Sequence, residues 1–536
     1  MTRIAHVLRR VQTRRTPQRE PILGSNQVPN SAGGFAWKLS DWQRLDRFLV
    51  LGSEGGTFYI SECQLTLENA QALLRVVDAD GARVVRRIVE ISEAGRTPKN
   101  DPALFALALA AAKADAATRK AALEALPQVA RIGTHLLHFV QYVEGFRGWG
   151  RGLRTAIQAW YAQPVEKLAY HAIKYRQRDG WAQRDLLRLA HPKAADEQHQ
   201  VLYHWIVRGW DWVGDEAHPD PALRVIWAFE RVQRASSRDE VVRLIREHRL
   251  PREAVPTQWL THREVWEALL ETDMPMTALI RNLATLTRVG LVVPGSDATR
   301  QVVTRLGDAQ RLRAARIHPI AVLAALKTYA QGKGERGKTT WTPVPQVVDA
   351  LDAAFYATFQ NVEPTGKRWL LALDVSGSMG MGAVAGVPGL TPRVASAAMA
   401  LITAATEQHH TFLGFAHELV PLAISPRQRL DDVVATVSGI PFGGTDCALP
   451  MVWATKHKAK VDVFVVYTDS ETWFGSIHPM QALRQYREKM GIRAKLIVVG
   501  MTSNGFTIAD PDDAGALDVV GFDSAVPAVM ADFVRT

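Results

Sequence analysis

The spacing of apolar residues changes once along this chain of 536 residues, at about residue 364. Between about residues 36 and 359, apolar side chains recur at helical intervals. In "RDEVVRLIREHRL", for example, Val241, Leu244, Ile245 and Leu250 fall along one side of a helix, and charged residues take the other sides. Strand candidates are few here. The pattern predicts stacked helical hairpins in an α-solenoid-like layout, without a clean sequence repeat.

Beyond residue 368, short apolar runs alternate with amphipathic segments. The strand candidates are "WLLALD", "TFLGFA", "VDVFVVYTD" and "KLIVVGM", and helix candidates such as "PRVASAAMALITAATEQ" lie between them. Such alternation predicts a mainly parallel sheet covered by helices on both faces. We therefore divide the chain into a basic N-terminal arm (1–35), a helical region (36–363) and a Rossmann-like α/β domain (364–536).

Positive charge is concentrated in the first two of these parts. The α/β domain carries 14 Lys and Arg against 16 Asp and Glu, whereas the preceding 363 residues carry 50 against 38. This asymmetry favours a nucleic-acid partner for the helical region. A membrane surface is less favoured, because no helix there combines a broad apolar face with a fully basic one.

Cysteine content and hydropathy bear on the compartment. Cys63 and Cys447 are the two cysteines, and they form neither a CxxC pair nor a Cys/His zinc spacing, which suits a reducing cytoplasm. No apolar run reaches the ~18 residues that a membrane span needs. The Arg-rich start lacks the apolar segment of a secretory signal, and we interpret it as a basic arm, with a transit peptide as the alternative. We expect a cytoplasmic protein.

One strand candidate runs directly into oxygen-bearing side chains. In "LALDVSGSMG", Asp374, Ser376 and Ser378 form the pattern D-x-S-x-S at the carboxyl end of a strand, where parallel sheets bind ligands. Later loops add Thr445 from "PFGGTDCA" and Asp469 from "VFVVYTDSE". Carboxylates with hydroxyls suit a hard divalent cation such as Mg²⁺. A helix N-cap is the alternative for D-x-S-x-S alone, but three loops in this order favour a metal site.

A second motif lacks the context that it needs. "GKGERGKT" (332–339) fits the phosphate-binding pattern G-x-x-x-x-G-K-[ST]. That pattern binds phosphate between a strand and a helix, whereas here a helical segment precedes it and two prolines follow it. We interpret it as a flexible basic connector.

The segment 147–193 contains ten Lys and Arg and three Asp and Glu, with aromatic residues between them. Arginines contact phosphates and stack on unpaired bases, and Tyr and Trp are stacking platforms. Lys174 and Arg178 are four apart and would share one face if this segment is a helix, and His191 could donate to a phosphate or base. The alternative is that the aromatics are core and the arginines a solvated face. We accept it for most of the aromatics, including Trp160 and Trp181.

With both regions placed, the chain resembles bacterial members of the Ro autoantigen family, which join a TROVE domain of HEAT-like helical repeats to a von Willebrand factor A domain. The similarity spans nearly the full length. It rests on "FAWKLSDWQRLDRFLVLGSEGGTFYISE", "KYRQRDGWAQRDLLRLAHPK", "MPMTALIRNLATLTRVGL", "RIHPIAVLAALKTY" and "WTPVPQVVDALDAAFY". "DVSGSM", "GGTD" and "YTDSE" then resemble the metal-ion-dependent adhesion site of A domains. The "RGKT" connector and the insert "GMGAVAGVPGL" depart in length from relatives.

The resemblance implies a monomeric ring of helical repeats closed by the A domain. Its basic outer surface would bind small structured Y-type RNAs, and its central hole would take single-stranded 3′ ends of misfolded RNAs. It places Y RNA contacts at Lys174, Arg178 and His191, and charge alone adds Arg147, Arg151, Arg154 and Arg184. In the A domain, Asp469 would ligate the metal directly or through water. Relatives handle RNA under stress, tethered through Y RNA to a 3′-to-5′ exoribonuclease.

We therefore predict a non-enzymatic RNA-binding protein of RNA quality control and the stress response. The alternative is an adhesion-like module whose metal site binds an acidic protein partner, with the basic region only solubilising the chain. Hydrolysis at the metal is the least favoured function, because no candidate base is paired with a nucleophile.

Overall fold

The computed structural model describes residues 15–210, 218–334, 339–359, 362–420, 422–440 and 443–536. Helices dominate the part before residue 360, as the helical spacing predicts. They are α1 (Asp41–Leu51), α2 (Glu62–Glu93), α3 (Asp101–Lys113), α4 (Ala116–Glu124), α5 (Leu126–Val129), α6 (Gly133–Arg147), α7 (Arg151–Trp160), α8 (Val165–Lys174), α9 (Gln183–Ala190), α10 (Glu197–Arg208), α11 (Arg224–Gln233), α12 (Arg238–His248), α13 (Arg263–Glu271), α14 (Met276–Arg288), α15 (Asp297–Gly307), α16 (Ala309–Ala314), α17 (Pro319–Ala330) and α18 (Pro345–Ala357).

Helix α12 shows how a capping residue begins a helix and how one apolar face is buried against neighbouring helices. Ser237 caps α12 by accepting the backbone N–H of Glu240, which satisfies a donor that the helix leaves unpaired. Val241, Leu244 and Ile245 are buried on the side that the sequence pattern predicts. The helix therefore forms because its N-terminus is satisfied locally and its apolar stripe packs on the neighbouring α11 and α13.

Consecutive helices pack against one another, and α17 contacts the chain that follows α2. The α3 helix lies against both α2 and α6, and α18 lies against α15 and α17. His318, the N-cap of α17, has its Nε2 3.0 Å from the carbonyl oxygen of Arg96, which follows α2. This contact joins residues 222 positions apart and so brings a late helix of the region against an early segment.

The α/β domain contains a six-stranded sheet. Its strands are β5 (Arg368–Asp374), β6 (His409–Phe415), β7 (Leu419–Val420), β8 (Val463–Thr468), β9 (Lys495–Gly500) and β11 (Ala516–Val520). They lie in the sheet in the order β11-β9-β8-β5-β6-β7. Only the β6–β7 pair is antiparallel among these. The helices of this domain are α19 (Pro392–Thr406), α20 (Leu430–Ser438), α21 (Leu449–Lys456), α22 (Pro479–Met490) and α23 (Val526–Arg535). The predicted fold class, a helical region followed by a mainly parallel α/β domain, is confirmed.

Alternate residues of each central strand enter different cores. Leu371 and Leu373 of β5 belong to the core that continues into the helical region, whereas Leu370 and Ala372 pack with α21 and α22 on the opposite face. Both faces of the sheet are therefore covered, as its near-continuous apolar strands predict.

From residue 15 on, the segment that the sequence assigned to a basic arm packs against the α/β domain. Its strand β1 (Gln27–Pro29) pairs with β2 (Phe35–Lys38), and β2 pairs with β10 (Phe506–Thr507) of the α/β domain. Gly34 lies so close to this domain that a Cβ there would be 1.9 Å from the carbonyl oxygen of Thr472. Residues 1–14 of the predicted arm and 335–338 of the predicted connector lie outside the described residues.

The helical region docks on the α/β domain through buried ion pairs. The Nη2 of Arg47 of α1 donates to both carboxylate oxygens of Asp518 of β11, at 2.8 and 2.6 Å. The Nε of Arg96 lies 2.9 Å from Oδ2 of Asp523. Among the helices of the described ranges, none has the length and apolar character that crossing a membrane requires.

Candidate functional sites

The five residues predicted to ligate a metal come from three loops that the fold brings together. Asp374 is the last residue of β5, and Ser376 and Ser378 follow it. Asp469 directly follows β8, and Thr445 lies in the loop before α21. All five are buried, with exposed fractions between 0% and 5%. The edge formed by the carboxyl ends of β5 and β8 is thus the candidate metal site.

Hydrogen bonds fix the carboxylate of Asp374 at the centre of this site. Its Oδ1 accepts the backbone N–H of Ser376 at 2.9 Å, and its Oδ2 accepts the hydroxyl of Thr468 at 2.6 Å. The hydroxyl oxygens of Ser376 and Ser378 lie 3.2 Å apart. The serine turn therefore presents its hydroxyl groups beside an oriented carboxylate.

The loop that carries Thr445 is tied to both of the other loops. The backbone N–H of Gly377, between the two serines, donates to the carbonyl of Gly443 at 3.4 Å. The backbone N–H of Trp473, on the loop after β8, donates to the carbonyl of Thr445 at 3.0 Å. These main-chain bonds set the spacing of the three loops without using the side chains.

Three carboxyl groups are buried together at this edge of the sheet. Burial and the charge of Asp469 raise the pKa of Asp374. Burial also raises the pKa of Asp469, against a hydrogen bond from Ser378 that lowers it. Burial and the Asp469 charge raise the pKa of Glu471 as well. A bound cation would offset this repulsion and desolvation.

The donor set fits a hard divalent cation. Mg²⁺ takes carboxylate and hydroxyl oxygens and keeps several of its waters. Asp374, Ser376, Ser378, Thr445 and Asp469 are the residues that would hold it, and it would present a positive charge to a carboxylate from outside. Within the described ranges, no cluster of three or more His, Cys, Asp and Glu side chains is placed to hold an ion, and three of the five predicted ligands are hydroxyl residues.

Two further residues at this edge were not predicted. Tyr59, from the connection between α1 and α2, shares a hydrogen bond with Ser378, and its pKa is raised by burial and by the charges of Asp469 and Glu471. Ser470 has a left-handed φ of 62°, and its buried hydroxyl has no partner within the described chain. Ser470 directly follows Asp469 in "YTDSE", so the motif itself contains the signal for it. Tyr59 has no local signal, because it reaches the site from the helical region.

Lys174 and Arg178 do not share a helix, so the condition under which they would lie on one helical face is not met. Helix α8 ends at Lys174, and Arg178 lies on a two-stranded hairpin, β3 (Gln177–Arg178) and β4 (Trp181–Ala182). Asp179 and Gly180 both have positive φ, as a tight hairpin turn requires, and so the helix cannot continue. The Nζ of Lys174 stays near the hydroxyl of Tyr170 at 3.2 Å, and the Arg178 side chain is 58% exposed.

His191 and Arg184 lie on the helix that follows this hairpin. His191 ends α9 in the left-handed conformation, with its backbone N–H bonded to the Leu187 carbonyl and its side chain exposed. The Arg184 side chain is 55% exposed and lies 3.8 Å from Asp185. Both side chains are therefore available to a partner in solution.

Arg147, Arg151 and Arg154 lie where α6 ends and α7 begins. All three are exposed, and none has a carboxylate partner in the described parts of the chain. Trp149, between α6 and α7, stacks on Trp181 of the hairpin with ring centroids 6.1 Å apart. We call the basic side chains of these adjoining elements the basic surface; they are Arg147, Arg151, Arg154, Lys174, Arg178, Arg184 and His191.

The aromatic residues of this segment contribute mainly to packing. Trp160 is 1% exposed and donates its indole N–H to the Ala130 carbonyl at 2.6 Å. Trp181 is partly buried and donates to Gln141 at 2.9 Å. Trp160 thus belongs to the core, whereas Trp181 packs against the core and is only partly buried.

Comparison with known proteins defines the class of this chain. Residues 28–328 match the TROVE domain, and residues 368–534 match the Ro60 vWA domain. The chain is thus a TROVE-domain protein with a C-terminal von Willebrand factor A domain. The metal-site loops lie in the second match and the basic surface in the first.

Relatives that span the whole chain identify its family. It is 48% identical to RNA-binding protein RO60 of Deinococcus radiodurans over 99% of both chains. It is 37% identical to RNA-binding protein RO60 of Caenorhabditis elegans, over 98% of this chain and 92% of the other. The crystal structure of the D. radiodurans RO (RSR) protein superposes with a TM-score of 0.70, covering 92% of this chain and 99% of that one. The chain belongs to the Ro60 family.

Proposed function

We propose that this protein binds RNA without catalysing a reaction on it. The observation that carries the proposal is the basic surface, whose three arginines at the α6–α7 junction have no carboxylate partner in the described chain. When unpaired cationic side chains neutralise RNA phosphates, they release the counterions condensed on the RNA, and this release favours binding. Two relatives that span almost the full chain are named as RNA-binding proteins, which supports the same function.

The finer proposal assigns two kinds of RNA to two places. Small structured Y-type RNAs bind on the basic surface, and single-stranded 3′ ends of misfolded RNAs enter the hole of a monomeric ring. The contact between His318 and the Arg96 carbonyl, which brings a late helix of the region against an early segment, supports such a ring. In this role the protein acts in cytoplasmic RNA quality control under stress, tethered through Y-type RNA to a 3′-to-5′ exoribonuclease.

A filter-binding salt titration tests the RNA proposal. The ligands are a stem-loop RNA with a single-stranded 3′ tail, the same stem-loop without the tail, and duplex DNA. We expect affinity to fall steeply with salt and the tailed RNA to bind most tightly. Binding of the tailed RNA no tighter than duplex DNA would contradict the threading of 3′ ends.

Two double variants locate the contact surface. Lys174→Ala with Arg178→Ala removes two cations of the basic surface, and we expect weaker binding and a shallower salt slope, by about one phosphate contact for each cation. Lys456→Ala with Lys460→Ala removes the same charge from exposed positions of the α/β domain and serves as the control. Equal losses in both pairs would show that net charge alone drives binding.

A second candidate function is docking of an acidic protein partner at a Mg²⁺ ion in the candidate metal site. Exposed apolar side chains in the neighbouring loops favour it: Phe58, Met381 and Phe474 are 50%, 53% and 52% exposed. An acidic residue flanked by apolar residues could ligate the ion and cover them. Chelation of Mg²⁺ should then release a protein partner and leave RNA binding intact. A partner retained after chelation, and after Asp374→Asn, would contradict this function.

A further inference from the structure

An open cavity of about 540 Å³ lies between α4, α6 and α7, beside the basic surface. Its floor is formed by small and aliphatic side chains from these helices and from α3, including Ala111, Leu123, Val143, Leu153 and Ala156. Aromatic side chains do not contribute to its described lining, and Gly148, Gly150 and Gly152 leave the wall toward α7 as bare backbone. The cavity therefore offers a mainly apolar interior with backbone polar groups along one side.

The rim of this cavity is cationic. Arg119 and Lys120 contribute from α4, Arg147 from the end of α6, and Arg151 from the start of α7. Glu124 is the acidic residue in the lining, and its carboxylate lies 3.8 Å from Lys120. Within the residues that the structure describes, the guanidinium groups of Arg119, Arg147 and Arg151 make no ion pair. An apolar interior with unpaired cations around its mouth is complementary to a ligand with apolar faces and anionic ends.

The backbone at the mouth adds hydrogen-bond donors. Helix α7 follows Gly150, which has no side chain to cap it, and the first N–H of the helix that has a main-chain acceptor is that of Arg154, bonded to the Gly150 carbonyl. The N–H groups of Arg151, Gly152 and Leu153 are without acceptors in the described structure. They lie at the same end of α7 as Arg147 and Arg151, where a phosphate oxygen would be stabilised.

We propose that this cavity binds an unpaired nucleobase of RNA, with the flanking phosphates on Arg119, Lys120, Arg147 and Arg151. The proposal rests on the RNA-binding function proposed above and specifies one place where unpaired RNA is distinguished from paired RNA. A base has apolar faces that match the alanine and leucine floor, and guanidinium planes at the rim can stack on it. A paired base cannot enter, because its faces are covered by its neighbours in the helix.

The test fills the cavity without changing charge. Ala159 is an exposed α7 residue of the lining, and Ala159→Trp places an indole in the space that the base would occupy. Ala117→Trp, at an exposed α4 position outside the lining, is the matched control. Each variant is titrated with a fully paired hairpin RNA and with the same hairpin carrying one bulged uridine. We expect Ala159→Trp to weaken binding of the bulged RNA about tenfold and that of the paired RNA less than about twofold, because only the bulged base loses apolar burial.

A crosslinking measurement keeps the test independent of folding effects. The bulged uridine is replaced by 4-thiouridine, and irradiation of the wild-type complex should attach it to a peptide that contains Val143 or Leu153. If Ala159→Trp binds both RNAs as the wild type does, or if crosslinks map only elsewhere, the cavity proposal is wrong while RNA binding stands. If the wild type binds neither RNA, the proposed function itself fails. Competition by an oligo-glutamate peptide that Ala159→Trp abolishes would show an acidic peptide site instead and overturn the nucleobase proposal.

Discussion

Arg47 and Asp518 form an ion pair in which Arg47 Nη2 lies 2.8 and 2.6 Å from the two carboxylate oxygens, although the residues are 471 positions apart in the chain. Their side chains are 1% and 5% exposed. Burial raises the pKa of Asp518, and the charge of Arg47 lowers it in part. The pair joins the first helix of the helical region to the edge strand of the α/β domain, and both charged side chains are almost fully buried.

Removing one member of this pair should destabilise the protein strongly. Asp518→Ala leaves the Arg47 guanidinium buried and uncompensated, and we expect the free energy of unfolding to fall by about 3–5 kcal/mol. Urea-induced unfolding measures this change. The matched control is Asp41→Ala, which breaks a bidentate pair with the half-exposed Arg75 and should cost less than about 1 kcal/mol. Similar losses in both variants would show that the buried pair is not a docking contact.

The contact between His318 and the Arg96 carbonyl should weaken in acid. Burial lowers the pKa of His318 to about 4, although the nearby Asp523 carboxylate and the Arg96 carbonyl favour the charged form. Native His318 stays neutral while the unfolded chain binds a proton below about pH 6.5, so the unfolded state gains protons first. The contribution is therefore present above about pH 6.5 and is lost as the pH falls toward 4, by about 3 kcal/mol in all.

His318→Gln separates this titration from that of other groups. Glutamine can still donate to the Arg96 carbonyl but does not titrate, so the decrease in unfolding free energy between about pH 6.5 and 4 should be smaller than in the wild type. Thermal unfolding across this range measures it, with His409→Gln, at an exposed position of β6, as the control. If both variants follow the wild-type pH profile, His318 is not a determinant of acid stability.

Mg²⁺ should raise the unfolding temperature of the wild type, because a ligand that binds only the native state stabilises it by mass action. Asp374→Asn should remove most of this rise, since Asn retains the acceptor for the Ser376 N–H but not the charge. Without metal the variant should unfold no earlier than the wild type, because one of three crowded carboxylates is gone. Differential scanning calorimetry with and without Mg²⁺ gives both quantities. Asp532→Asn, at a 77% exposed side chain, is the control, and an undiminished Mg²⁺ shift in Asp374→Asn would refute the site.

The N-terminal segment should be part of the folded α/β domain. The amide N–H₂ of Gln18 is fully buried and donates to Asp446 Oδ1 at 2.7 Å and to the Ile477 carbonyl at 2.8 Å. Gln18→Ala leaves buried acceptors without donors, which should cost about 2–3 kcal/mol. Glu20→Ala, two residues along and exposed, should change stability by less than about 0.5 kcal/mol. Chemical unfolding of the two variants distinguishes a packed segment from a free arm.

The domain order and the site edge follow from local patterns in the sequence. Apolar residues at helical spacing mark the helical region, because its helices are buried on one face. Continuous apolar runs mark β5, β6, β8 and β9, of which β5, β8 and β9 are buried on both faces. Both patterns can be recognised in a short window of the sequence. Asp374 at the end of β5 and Asp469 after β8 are predictable for the same reason, since parallel strands present their carboxyl ends at one edge. The sequence did not reveal β11, whose run is broken by Asp518.

The sequence by itself therefore determined the spacing of apolar residues within each element, the order of the helices and strands, and the loops that carry oxygen ligands. The tertiary structure alone decided that Asp518 is compensated by Arg47, that Tyr59 reaches the Ser378 loop, and that the chain from residue 15 packs on the α/β domain. It also placed Arg178 on a hairpin, where the positive φ values of the turn end the helical pattern. The physical reason is the same in each case. The spacing of apolar residues shows only on which face of its own helix or strand a side chain lies. The partner of a buried charge or hydroxyl is set by packing between segments that are hundreds of residues apart.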